Sequence, residues 1–200
     1  MKKTLLIIGT AALLISCKDN PIMSKVKETK QNVENTTNAY KEVFSAQEDV
    51  EKLSKVTPLT NEELKTWLPD EVDGMKRTSF KAGTMAAMNI ASIEATFTTE
   101  DKSREFKVEI IDGAGEVGAI ALMGMRMALS QEFEEETEYK TRKTTKKGGT
   151  KAIEESYKDK SRCNIEFLQD DRFYIKASGK NMDIGDLWDL IDEIKVDKLG

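Results

Sequence analysis

The chain has 200 residues, 31 Lys and Arg against 36 Asp and Glu, a formal net charge of −5, two cysteines and no histidine. A mildly acidic chain is a poor nucleic-acid binder, because such binding rests on phosphate neutralisation by Lys and Arg. The lack of histidine removes the commonest general base and metal ligand, and with them a Ser-His-Asp triad, a Cys-His pair and most zinc sites; no cofactor and no metal site is expected.

The chain opens with MKKTLLIIGTAALLISCKDN. Lys2 and Lys3 form a short basic region, and Leu5 to Ile15 form an apolar run too short to cross a bilayer. The run ends in Leu14-Ile15-Ser16-Cys17, which resembles the bacterial lipobox. The resemblance implies a signal peptide over 1–16, cleavage after Ser16, and lipidation of Cys17 on its sulfur and on its new amine. An ordinary signal peptide with a chance cysteine is the alternative; the small residue directly before Cys17 favours the lipobox. Several acyl chains on one residue anchor stably, since each buried CH₂ contributes about 0.8 kcal/mol. In the best-known sorting systems Asp after the cysteine retains a lipoprotein in the inner membrane, so Lys18 implies the outer membrane of a Gram-negative bacterium. CKDN also resembles the Lys-plus-acidic tag on surface lipoproteins of Bacteroidetes, with Asp19 alone as the acid; periplasmic and surface-facing placements both stay open. Loss of 1–16 takes Lys2 and Lys3 away and moves the charge from −5 to −7. With Cys17 lipidated, Cys163 is the one free thiol and no intramolecular disulfide forms.

Residues 17–57 read as the lipidated N-terminus and a polar tether. Val26, Val33 and Tyr40 recur every seven residues, and Val43, Val50, Leu53 and Val56 extend a thin stripe. Sustained a/d pairs are missing, which favours a helical tether over a coiled coil. A globular domain is expected over 58–200. It begins with a short helix in LTNEELKTWLP: Thr60 caps it, Glu63 completes a capping box, Leu59 and Leu64 occupy the staple positions, and Pro69 stops it.

Strands are expected over 74–81, 85–99 and 104–111. Ile93, Ala95 and Phe97, then Phe106, Val108 and Ile110, alternate with polar residues, the period of a half-buried strand. The third strand runs into Gly113-x-Gly115-x-x-Gly118 and a helix over 116–130. That is literally a dinucleotide-binding fingerprint, but such a site needs parallel, near-continuously apolar strands and an acid ending a second strand about 20 residues on. Alternating strands and an unsupported FEEETE at that distance argue against it. The glycines are better explained by a tight turn and by close helix packing. The helix is apolar around most of its girth, with Gly118, Ala121, Gly124 and Ala128 as small residues, and is expected to be central and buried. Met123, Met125 and Met127 do not converge on a helix, so core packing is preferred to copper binding.

An acidic run at 132–138 leads into a basic one at 140–147, and Gly148-Gly149 suits a hairpin whose return strand carries Glu154 and Glu155. Cross-strand charge pairing explains this simply; contact with anionic headgroups or polysaccharide is the alternative. A second hairpin alternates Cys163, Ile165 and Phe167, turns at Asp170-Asp171, and alternates Phe173, Ile175 and Ala177. Cys163 lies on its inward face, an inert thiol. Asp183 caps a last helix with the stripe Ile184, Leu187, Trp188, Ile191 and Ile194; its acidic side, Asp186, Asp189, Asp192 and Glu193, reads as solvated rather than as a calcium site.

The fold class expected is α+β: a single, mainly antiparallel twisted sheet of about six to seven strands with helices packed on one face, preceded by the polar tether. RFYIKASG followed by MDIGDLWDLIDEI resembles the close of small envelope lipoprotein domains and the PsbP/Mog1 type of sheet, and the domain is similar to uncharacterised Bacteroidetes lipoproteins. The expected function is that of a non-enzymatic binding module, held to the membrane through Cys17 and meeting an envelope protein or ligand. A carrier of an apolar ligand between the sheet and the Met-rich helix is one alternative; a carboxylate-based enzyme acting on glycan is the other.

Overall fold

The computed structural model describes residues 47–199. The signal segment 1–16, Cys17 and the tether as far as residue 46 lie outside the described residues. The elements run α1 (47–54), α2 (Asn61–Trp67), β1 (Glu71–Val72), β2 (Met75–Ala82), a 3₁₀ turn (Ala86–Met88), β3 (Ser92–Thr98), β4 (Glu105–Asp112), α3 (Glu116–Ala121), α4 (Met123–Ser130), β5 (Glu134–Glu136), β6 (Lys140–Lys147), β7 (Thr150–Tyr157), β8 (Arg162–Gln169), β9 (Phe173–Lys180), α5 (Ile184–Glu193) and a final 3₁₀ turn (Val196–Lys198).

The fold is α+β, with one open antiparallel sheet in the order β1-β2-β3-β4-β9-β8-β7-β6-β5. Two meanders, β1 to β4 and β5 to β9, meet along the β4–β9 seam. The chain leaves the seam after β4, crosses one face of the sheet as α3 and α4, and re-enters at the far edge as β5.

Among the described residues nine strands form, instead of six or seven. The two additions are β1 and β5, of two and three residues, at the outer edges of the sheet. Strands this short carry no readable period, and both blunt an edge that would otherwise offer unpaired backbone groups. The expected strand over 85–99 is shorter as well. Ala86–Met88 make a 3₁₀ turn ended by Asn89 in the left-handed region at φ 55°, and Ser92 Oγ bonds Thr84 Oγ1 and accepts from Met85 N.

The helices lie on both faces, not one. Leu64 of α2 and Leu187, Trp188, Leu190 and Ile191 of α5 bury against Phe97, Phe106, Ile165, Phe167 and Ile175 in the main core. Trp188 packs on Phe167 at 5.4 Å between ring centroids. Each fully buried large apolar side chain contributes about 1.5–3 kcal/mol. Leu122 and Leu129 of the α3–α4 pair instead meet Ile153, Leu168 and Tyr174 in a second, smaller cluster. Leu168 follows Phe167 directly, so it points to the opposite face. An apolar patch on each side of β8 is what calls for a helix on each side.

Both expected caps form. Thr60 accepts from Glu63 N and Asp183 from Asp186 N, each within a capping box. The part of the second face that α3 and α4 leave open carries charge ladders. Glu94 sits between Lys107 at 2.7 Å and Lys81 at 3.3 Å, and Lys140 reaches Glu155 at 2.7 Å. Hydrogen bonding from Lys107 lowers the pKa of Glu94, and hydrogen bonding from Lys140 lowers that of Glu155. A carboxylate with a depressed folded-state pKa adds stability that is present above its unfolded value and lost as pH falls through the folded one. Thermal melts should therefore drop as pH falls below about 4.5, the ordinary glutamate value. A Glu94→Gln, Glu155→Gln double variant should show a shallower drop; an identical slope would remove these ladders from the acid response.

Candidate functional site

The glycine turn comes first, because its sequence points to phosphate. Gly115 sits at φ +80°, and a Cβ on Gly113 would lie 2.1 Å from Leu122 Cδ1. The three N–H groups of the turn itself are used within the chain. Gly113 N donates to Arg172 O, Ala114 N to Asp112 Oδ1, and Gly115 N to Leu53 O, each at 2.9 Å. Both neighbours of β4 are antiparallel to it. The turn is a structural joint, and its antiparallel neighbours do not make the parallel, doubly wound sheet that a dinucleotide site needs.

Asp112 lies at the centre of that joint and is fully buried. Its carboxylate accepts from Arg172 Nε and Nη2 at 2.8 Å each, from Leu59 N at 2.7 Å and from Ala114 N. Arg172 Nη2 also donates to Thr57 O. One buried pair thus fixes the β4–α3 turn, the β8–β9 turn and the strap over 47–59.

Beside the joint, on the face covered by α4, lies a cleft of about 490 Å³. Asp49 of α1 and Arg126 and Leu129 of α4 border it on one side. Lys146, Gly149 and Lys151 of the β6–β7 hairpin and Leu168, Asp170 and Asp171 at the β8–β9 turn border it on the other. The side chain of Arg126 is only 7 % exposed. Its Nη1 donates to Asp49 Oδ2 at 3.0 Å, its Nη2 donates to Asp171 O, and its buried Nε has no partner among the described residues.

The hairpin pairs charges as its sequence suggests, with one exception. Arg142 stands opposite Glu155 and Lys143 opposite Glu154, but Lys146 stands opposite Lys151. Neither of these two lysines has an ion-pair partner among the described residues, whereas Lys147 reaches Asp192 at 3.6 Å. The Lys146–Lys151 rung lies on the face of Ile153, toward α4. Like charges directly opposite on a sheet are destabilising, so Lys151→Glu is expected to stabilise the fold by about 0.5 kcal/mol in urea unfolding. A neutral or lower midpoint would mean that the rung carries no strain.

The remaining sequence candidates separate. Cys163 is fully buried, and burial lifts its pKa from 9.0 to about 11. Its thiol should resist alkylation in the native chain at neutral pH and react at once in guanidinium chloride; rapid native labelling would contradict that burial. The raised value also means that stability present below pH 9.0 is lost as pH rises toward about 11. Met123, Met125 and Met127 diverge: Met125 packs in the second cluster and Met127 is exposed. The helix expected as one buried rod breaks at Leu122 and leaves Val117, Ile120 and Met127 in solvent. Of its small residues, Gly118 makes the close approach, whereas Gly124 faces open space. No group of three or more His, Cys, Asp or Glu among the described residues is arranged to hold a metal ion, and no described helix is long and apolar enough to cross a membrane.

Sequence reasoning missed the cleft. The signal for it is Arg126, a lone charge inside ALMGMRMAL, where an apolar helix has no use for one without partners. No family model matches the chain, and neither the curated proteins nor the solved structures compared with it give a match.

Proposed function

We propose that this chain is a lipid-anchored envelope protein that binds rather than transforms, with the Arg126 cleft as its binding site. The anchor is Cys17, and the membrane is the outer membrane of a Gram-negative bacterium. The observation that carries the reading is the cleft itself. It combines a nine-tenths buried guanidinium, whose Nε has no partner among the described residues, with two lysines that have no ion partner among them, at a junction of four segments. Fixed polar groups in a concavity are what recognition requires.

Two other readings have less support. A carrier of apolar ligand needs space between the Met-rich helix and the sheet, but Leu122, Leu129, Ile153 and Leu168 fill it. The depression beside Met127 and Phe133 is open to solvent. A carboxylate enzyme needs two acids held opposite each other across a cleft. Here Asp49 is engaged by Arg126, and Asp170 and Asp171 are neighbours in one turn.

The test is native mass spectrometry of the full chain, extracted from its own envelope in mild detergent. The expected result is a diacylated, N-acylated Cys17 and a co-purifying species that disappears in the Arg126→Ala variant. Chemical conversion of that species, lost on changing one cleft side chain, would overturn the binding reading. An unacylated Cys17 would overturn the anchor.

A further inference from the structure

We infer that the cleft takes a phosphate-type oxyanion, seated between Lys146 and Lys151 above Arg126. The inference deepens the binding reading proposed above and rests on it. The cleft divides by charge. Its floor is neutralised within the chain: Asp49 holds Arg126 Nη1 at 3.0 Å, and the Asp171 carboxylate lies 3.9 Å from the same atom. Its lip is not neutralised, because Lys146 and Lys151 face each other across one rung of the hairpin with no carboxylate within ion-pair distance among the described residues. Asp170, at the opposite rim, is the remaining acid.

The neighbouring rungs make the exception informative. Arg142 and Lys143 each face a glutamate, and Lys147 is spent on Asp192 and on the Trp188 ring at 4.8 Å. A like-charge rung is strained when empty and relieved by a bridging anion. Two ammonium groups match a dianionic phosphate better than a single carboxylate, and lysine serves phosphate as a point charge. The buried Nε of Arg126, unpartnered among the described residues, leaves the guanidinium short of one acceptor. An incoming oxyanion can compete with Asp49 for that guanidinium. The same chemistry is carried by a free phosphate monoester and by an anionic lipid headgroup.

The test uses the full chain carrying Cys17→Ser, so that the acyl anchor does not contribute. Inorganic phosphate is titrated by calorimetry, and vesicles of phosphatidylglycerol are compared with vesicles of phosphatidylcholine. Saturable phosphate binding is expected, weakened at least roughly tenfold in Lys146→Ala/Lys151→Ala and kept within about threefold in Lys146→Arg/Lys151→Arg, because a point charge suffices. Phosphatidylglycerol binding that needs both lysines, with no response to free phosphate, would support the same chemistry with a headgroup as its source. Equal binding by the double alanine variant, or no response to either probe, would overturn the inference. The alanine pair is expected to melt no lower than the parent, so lost binding cannot be ascribed to unfolding. A neutral or cationic species in the cleft by native mass spectrometry would overturn the oxyanion while leaving the binding reading intact; turnover of a bound species would overturn the binding reading.

Discussion

Asp112→Ala is expected to destabilise the fold by about 3–5 kcal/mol, the range for removing one partner of a buried ion pair. Asp112 has no exposed surface and satisfies four donors from three segments. Its removal strands the guanidinium of Arg172, which is largely buried and cannot give up its charge. It also orphans the N–H groups of Leu59 and Ala114. The loss should be larger than that from Arg172→Met, because removing the arginine still leaves the carboxylate its two backbone donors. A double-mutant cycle in urea isolates the pair. If Asp112→Ala loses under about 1 kcal/mol, the joint has solvent access and the buried-charge argument fails. Because Thr57 and Leu59 hang on the same pair, the variant should also loosen the strap, read as faster amide exchange at Leu59 and Gly115.

That joint marks where the sequence is legible and where it is not. The β6–β7 and β8–β9 hairpins follow from Gly148-Gly149, Asp170-Asp171 and strict alternation, all local signals. The caps at Thr60 and Asp183 are local too. The face taken by α3 and α4 is not written locally, because a segment apolar around most of its girth has no single stripe to orient it. Its side is set instead by Ile153 and Leu168, residues of other strands that point away from the main core. The cleft is less legible still. Asp49, Arg126, Lys146 and Asp171 are far apart along the chain, and only the return of β5 to β9 alongside β4 brings their elements together. Glu71–Val72 and Glu134–Glu136 are short edge strands, and brevity removes the pattern by which strands are read.

Gly113→Ala is the second large effect expected, about 3 kcal/mol or somewhat more, the upper range for overpacking. The new methyl would lie 2.1 Å from Leu122 Cδ1 and 2.7 Å from the carbonyl oxygen of Arg172. Leu122 can turn aside; the carbonyl cannot, because it accepts from Gly113 N itself. Relief therefore has to move the β8–β9 turn against the β4–α3 turn, and that movement pulls on the Asp112–Arg172 pair. Gly124→Ala makes the opposite prediction. Its Cβ position is open, and it lies inside α4, where alanine is favoured over glycine by about 0.5–1 kcal/mol. The two variants differ only in where one methyl is placed, so paired urea melts separate steric closure from helix propensity. If both are neutral, the turn is looser than its hydrogen bonds imply. If Gly113→Ala alone collapses, the first glycine of the fingerprint is what lets the two turns touch.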